Sequence, residues 1–542
     1  ESGASMGEMG AERIRYALLA IVNEISRLLT TRLIVPESKI PEAVKLEGNL
    51  LRWNHRLTTL VAQHRQQDRA PHLDEIVLDV FGFSRGAAAA RSFVNQLLRH
   101  FSPGGQFFCG VPLRLRFLGL FDTVASVGLA DSVPGPFEGH QDWAAQDLLA
   151  IPPQVEQCVH FVAGHEGRKS FPIDLVLGND GRYPPNCIEV VYPGVHSDVG
   201  GGYGPGDQGK APDQSALLSQ ITLNDMYERA LKAGVPLRRR EKLDRAGLTE
   251  EFAVSKELRR YHDLYLEAVK LEGRDYPAIR HYEKHLRYYL HWRREVLSRG
   301  RFEFMHCVRR ARAQDRTNLT DSNAQFREYV AQLQHQDRTA PADLTFAAPS
   351  MGILSPKLDT VGLAHYRKYW PQPMTLFNGG EALLDFFDLY VHDSRAGFTI
   401  IDPVTFYDHK RIQERLRQQD AAYQHQVQAY QAYQARCIAL PASAVTDAGV
   451  VCPPGEPPMR PTDPLTSRER NNLAIYNKTP DARRDSDRAY IEVPVYSDGS
   501  PGAYHDGEVG AMDVLAVMDG RREARWSYLH PRQHFACSRL TF

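Results

Sequence analysis

Apolar positions recur at three- and four-residue steps through residues 11–70, where Ile14, Ala17, Leu18, Ile21 and Ile25 line one face of a helix. The period then changes. EIVLDVF at 75–81 is a short β-branched and apolar run that predicts a buried strand. RGAAAARSFVNQLLR at 85–99 returns to helix, with alanines favouring it and Phe93, Leu97 and Leu98 supplying apolar contacts. LRLRFLGLF at 113–121 and CIEVVY at 187–192 predict a second and a third strand, separated by a Pro/Gly-rich loop at 128–140. Strand, turn and helix in alternation predict an α/β domain with a largely parallel sheet.

Beyond about residue 215 helix dominates. ALLSQITLNDMYERALKAG at 216–234 ends on Gly234, 249–300 is polar and aromatic, and 410–437 is a second long polar helical stretch. Residues 441–466 are Pro-rich and read as a linker or exposed loop. Three segments follow: a core at 1–235, a mainly helical module at 236–440 in which 380–410 returns to the core, and a Pro-rich loop with a C-terminal segment at 441–542. A doubly wound sheet ordinarily has strands ahead of its central one. The stretch before EIVLDVF is helical instead, so strands are expected to be missing from the N-terminal side.

Composition narrows the class. A formal net charge of −1 over 542 residues argues against a dedicated nucleic-acid binder, which needs a basic face for phosphates. The seven cysteines form no C-x-x-C pair and read mostly as small buried apolar residues. No ligand cluster has metal spacing, so neither metal nor cofactor is expected. No apolar run approaches a membrane span of about 18–20 residues. The opening ESGASMGEMGAER lacks the basic start and apolar run of a signal peptide. The expectation is a protein made in the cytoplasm that meets membranes only through its surface.

The candidate chemistry sits where strand meets helix. Gly82-Phe83-Ser84-Arg85-Gly86 is G-x-S-x-G, between a predicted strand and a predicted helix. That context places a serine on a tight, strained turn, with the N–H of Arg85 as the first oxyanion donor at the helix N-terminus. Asp122 follows the second strand and His196 the third, so the order is Ser84, Asp122, His196, as in α/β-hydrolases. Asp198 competes to orient His196, although a turn or N-cap role suits it better. His392, in VHDSRAGF, is an alternative base, with a buried or lid histidine as the plainer reading. His505 and Asp506 read as surface residues. HYEKHLRYYLHWRR at 281–294 has two readings. Its aromatic and cationic residues suit a lipid interface, and Tyr282, Leu286 and Leu290 at helical spacing suit a core stripe.

Together, FGFSRGAAAAR, the pattern F-x-G-x-F-D-T-V at 117–124 and YPGVHSDVGGGY resemble the α/β-hydrolase-like domain of the first class of bacterial type VI secretion lipase effectors. AGHEGRKSFP at 163–172 and YVHDSRAGF at 390–398 also look like segments of that family. The resemblance covers about 75–235 well and 380–410 more weakly. It implies a mostly parallel α/β-hydrolase-like sheet with helices on both faces, plus the helical module. It implies a phospholipase cutting fatty-acyl esters of bacterial membrane glycerophospholipids, with Ser84, Asp122 and His196 as its triad. It also implies delivery by type VI secretion to a target-cell periplasm, a spike or needle carrier, and a cognate immunity protein. The family's opening strand and its turn, expected to give a second oxyanion donor, are not seen in this sequence. Two other classes stay open: a general carboxylesterase, neutral-lipid or polyester hydrolase with the same triad, and a non-enzymatic interaction protein on the same fold.

Overall fold

The computed structural model describes residues 10–66, 73–125, 142–168, 171–178, 180–243, 248–270, 278–298, 300–339, 360–370, 381–398, 404–438, 461–465, 467–479, 482, 503–504, 529, 532 and 534–537. The chain divides into two compact units, 1–401 with 515–542, and 402–514. The boundary expected at 235 therefore falls inside the first unit.

In that unit the N-terminal periodicity gives helices α1 (Gly10–Thr30) and α2 (Asn49–Arg65). Strand β1 (Ile76–Phe83) and helix α3 (Arg85–Phe101) follow, close to their expected limits. The parallel sheet continues with β2 (Val111–Phe121), β3 (Val155–Ala163) and β5 (Cys187–Tyr192), in the order β1-β2-β3-β5. Strands β3 and β4 (Ile173–Gly178) were among those not expected from sequence. His196 consequently follows the fourth strand of the parallel set rather than the third. Strand β4 lies outside this set and pairs in parallel with β6 (His534–Cys537), which brings the C-terminal segment into the first unit.

Helices cover both faces of the sheet. On β2, Leu113, Leu115, Leu118 and Leu120 pack with α1, α2 and α3, where Leu18, Val22, Trp53, Leu57 and Leu97 are buried. A bulge at Arg116, between the pairs Leu78 with Leu115 and Asp79 with Phe117, shifts the inward side from odd to even positions. Phe117, Val159 and Phe161 face the other way, against Met226 and Ala230 of α5 (Ser219–Lys232). Each such fully buried side chain contributes about 1.5–3 kcal/mol relative to exposure.

The helices after 250 build their own core. Helices α6 (Lys256–Val269), α7 (Ala278–Ser298), α8 (Ala313–Thr339), α9 (Thr360–Tyr369) and α10 (Glu381–Leu389) enclose Tyr265, Tyr282, Leu286, Tyr289, Leu290, Trp292, Phe386 and Phe387. Tyr282 and Leu290 are each 1% exposed, so the aromatic stripe of 281–294 is core and not a lipid-facing surface. Lys210 Nζ, buried, donates to the carbonyls of Phe387 and Asp388 at 2.9 and 2.7 Å, capping the end of α10 with a positive charge. Among the described residues no helix is long and apolar enough to cross a membrane, and Cys109, Cys158 and Cys307 are buried free thiols.

The second unit holds the long helix α11 (Phe406–Ile438) and the short α12 (Ser467–Tyr476), packed through Leu416, Leu465, Leu473 and Tyr476. Most of the Pro-rich stretch 441–466, the loop 128–140 and His505 with Asp506 lie outside the described residues.

Candidate active site

Ser84 has φ 57° and ψ −126°, a conformation that L-residues rarely adopt, at the junction of β1 and α3. Such backbone costs of order 1–3 kcal/mol and persists only where its surroundings hold it. Here the Ser84 N–H donates to Phe121 O at 2.9 Å, and its carbonyl accepts from Ala87 and Ala88 at 3.0 and 3.2 Å. The two glycines of the motif differ. A Cβ on Gly82 would stand 2.3 Å from the Gly86 carbonyl oxygen, whereas one on Gly86 meets nothing within 4 Å among the described residues. Only the first glycine is required by the turn. Arg85 opens α3, so its amide is the first of the helix N-terminus.

The strands end in register: Phe83 pairs with Phe121, Phe121 with Phe161, and Ala163 with Tyr192. The residues that follow them therefore gather at one carboxyl edge, where α/β sheets bind their ligands. Asp122 is buried at φ 40°, anchored by its own N–H to Phe161 O at 2.7 Å. Its Oδ2 accepts from His196 Nδ1–H at 2.6 Å, and its Oδ1 accepts from the Ala163 N–H at 2.7 Å. His196 begins the short helix α4 (His196–Gly200). Its ring lies 4.5 Å from that of Phe83, the residue before Ser84, and 5.0 Å from that of Phe171. The structure thus brings the sequence-derived Asp122 and His196 into a direct bond beside the Ser84 turn. Burial would raise the Asp122 carboxyl. The Arg532 charge and the hydrogen bonds from His196 and Arg532 outweigh it and hold the group far below the usual carboxylate range. Burial pulls the His196 imidazole down, against the opposing pull of Asp122.

Two segments noted in the sequence meet beside this pair. Glu166, fully buried, accepts at Oε1 from the Arg168 N–H and Nε–H at 2.8 and 3.1 Å and from Ser394 Oγ–H at 3.0 Å. Its Oε2 accepts from the His196 N–H at 3.2 Å. Burial works against its charge, but Arg168 overrides it and holds the carboxyl at about 2. The Arg168 guanidinium lies 3.5 Å from the Phe171 ring centre and 4.6 Å from that of Phe398. Residues 163–168 with 171–172, and 390–398, therefore share one wall of the site.

His392, the alternative base, is held elsewhere. Its Nδ1–H donates to Asp198 Oδ1 at 2.6 Å, its N–H donates to Asp198 Oδ2 at 3.1 Å, and its ring stacks on Tyr203 at 3.8 Å. Asp198 also accepts from the Val195 N–H at 3.0 Å, so it caps the turn as expected and orients His392 rather than His196.

Sequence reasoning missed Arg532. Its Nη1 and Nη2 donate to Asp122 Oδ1 and Oδ2 at 2.8 and 2.7 Å, with both side chains fully buried. Nothing in the stretch SYLHPRQHF signals this, because the arginine stands outside any periodic pattern and its partner lies 410 residues away.

Comparison with known proteins follows the same segment of chain. Residues 100–229 match the family model described as the catalytic domain of Tle1-like phospholipase effectors of the type VI secretion system. The matched segment contains Asp122 and His196, and Ser84 precedes it. A crystal structure of an uncharacterized protein from Pseudomonas aeruginosa aligns at 25% identity with TM-score 0.53, over 73% of this chain and 68% of that one. The Tle1 effector bound to the VgrG spike of the type 6 secretion system aligns at 20% identity with TM-score 0.26, over 42% of this chain and 61% of that one. None of the curated proteins matches the chain. The fold is α/β, a mostly parallel sheet with helices on both faces and an added helical module.

Proposed function

We propose, starting from the phospholipase-effector likeness of residues 100–229, that this chain is a serine phospholipase of the A type, cutting fatty-acyl esters of bacterial glycerophospholipids. The observation that carries the reading is the 2.6 Å bond between His196 Nδ1 and the buried Asp122, at the sheet edge where Ser84 occupies a strained turn. A serine hydroxyl needs a base, an orienting acid and oxyanion donors to act near neutral pH. In this mechanism Ser84 Oγ attacks the ester carbonyl while His196 Nε2, the nitrogen facing away from Asp122, takes the hydroxyl proton. Asp122 fixes the tautomer and offsets the imidazolium charge. The Arg85 N–H, at the start of α3, receives the oxyanion. The proton then passes to the leaving lysophospholipid alcohol, and water, activated by the same histidine, releases the fatty acid from Ser84.

Phe83, Phe171 and Phe398 give the site an apolar wall suited to an acyl chain. Delivery to a target-cell periplasm by type VI secretion, on a spike or needle carrier and against an immunity protein, belongs to the same reading and rests on the family likeness.

The test is fatty-acid release from phospholipid vesicles of defined headgroup by the wild type and by Ser84→Ala. Loss of at least about 10⁴-fold in the variant is expected, as for removal of other serine nucleophiles. Equal release from both discards Ser84. Release from neutral esters with indifference to headgroup points to a general esterase on the same triad.

A further inference from the structure

The acid of the site has a partner that no triad requires. Asp122 offers about four lone-pair positions, and all are taken: Ala163 N–H and Arg532 Nη1 on Oδ1, His196 Nδ1–H and Arg532 Nη2 on Oδ2. Arg532 is itself fixed from several sides. Its Nε–H donates to Phe171 O at 2.6 Å. Its backbone N–H donates to Tyr282 Oη at 3.1 Å, and the Tyr282 hydroxyl donates to Glu166 O at 2.8 Å. Two residues later the chain enters β6, paired with β4. A planar guanidinium seated by strand, carbonyl and tyrosine is preorganised for two-point contact with a carboxylate.

We propose that Arg532, carried to the sheet edge by the C-terminal strand, is a positioning residue that locks the Asp122 carboxylate in the plane that orients His196. This rests on the Ser84, Asp122 and His196 reading. The other charged and titratable groups around the pair are Glu166 and Arg168 after β3, Tyr282 of α7, Arg395 after α10, and His534. Among them Arg532 alone makes the two-point bond to Asp122. Its charge makes Asp122 a weaker proton acceptor; by offsetting the carboxylate's pull on the imidazole it also disfavours imidazolium at His196, so the free base persists to lower pH. Without Arg532 the Asp122–His196 pair takes up its proton at higher pH, whichever partner carries it.

The experiment is the pH dependence of kcat/KM for fatty-acid release by the wild type, Arg532→Gln and Arg532→Lys, with an NMR titration of the His196 imidazole in each. His196→Gln identifies the resonance, and circular dichroism checks the fold. Arg532→Gln is expected to lower kcat about 10²-fold and to move both the acid limb and the His196 titration up by about one unit. Arg532→Lys, which keeps the charge and loses the fork, is expected to hold the limb within about 0.3 units while kcat falls about tenfold. A folded Arg532→Gln with unmoved limb and titration overturns the proposal. Wild-type kcat in Arg532→Lys, or a limb displaced by a full unit, overturns it also when the glutamine variant does not fold. A wild type that releases no fatty acid refutes the phospholipase reading, and the His196 titration then decides Arg532 separately.

Discussion

At the scale of single residues, Asp122 is bonded to both His196 and Arg532, and one substitution tests both bonds. Asp122→Asn keeps the size of the side chain, turns a full acceptor into a half-donor and leaves His196 free to take the wrong tautomer. We expect kcat for fatty-acid release to fall about 10⁴-fold. The same change leaves the buried Arg532 facing a neutral amide. Losing one partner of a buried ion pair costs about 3–5 kcal/mol, so the melting temperature falls as well. A variant that lost activity at unchanged melting temperature would show that the Arg532 charge is compensated elsewhere. Asp122 and His196 were legible in the sequence because each stands just past an apolar strand, where local pattern and position in the sheet coincide. The Asp198–His392 and Asp122–Arg532 bonds were not legible. They span 194 and 410 residues, and no local period records a contact across such distances.

At the scale of elements, the strand-turn-helix around Ser84 makes unequal demands on its glycines. Gly82→Ala drives a Cβ into the backbone carbonyl of Gly86, which has no side-chain freedom to yield. Loss of the native turn is expected, read as loss of fatty-acid release together with a lower urea midpoint. Gly86→Ala, in open space at the second position of α3, is expected to hold or raise the midpoint, by up to about 1 kcal/mol from helix propensity. Equal tolerance at both positions would contradict the close approach seen at Gly82. Strands β1, β2 and β5 were legible because β-branched and apolar residues dominate them. Strand β3, VEQCVHFVA, carries Glu156 and Gln157 after its first residue and buries His160, whose Nδ1–H donates to Glu189 at 2.8 Å and whose Nε2 accepts from the Thr123 N–H at 3.1 Å. A polar residue satisfied only by tertiary partners blurs the pattern that marks a buried strand. Helix α7 shows the opposite ambiguity. Tyr, His and Trp on one face suit a membrane interface and a packed core equally well. Tyr265, hydrogen-bonded at 2.8 Å to both His165 Nε2 and His285 Nδ1, shows how such a core satisfies its polar atoms.

At the scale of the whole molecule, buried histidines tie stability to pH. Burial pulls His285 down to about 3, helped by His281 and His262, and pulls His534 down to about 4, helped by Arg532. The unfolded chain binds protons at these residues near pH 6.5, and the folded chain does not. Stability therefore falls as pH drops below about 6.5, by about 1.4 kcal/mol per unit for each group. Glu166, held at about 2, has the opposite sense, with its contribution intact above about 4.5 and lost as pH falls towards 2. The tryptophans among the described residues, Trp53, Trp143, Trp292 and Trp370, all belong to the first unit, so their fluorescence reports that unit. A urea midpoint by tryptophan emission that is lower at pH 5 than at pH 7.5, equivalent to about 4 kcal/mol, is expected. An identical midpoint at both values would mean that these histidines are solvated.

The pairing of β4 with β6 also has a consequence in time. The Ser84 turn, Asp122 and His196 all leave the ribosome long before Arg532, which follows Asp122 by 410 residues. At about 5–20 residues per second that interval is about 20–80 s. Through that interval the emerging chain carries Asp122 without the guanidinium that bonds both of its oxygens, so the carboxylate stays without its two-point partner until the C-terminal strand has emerged.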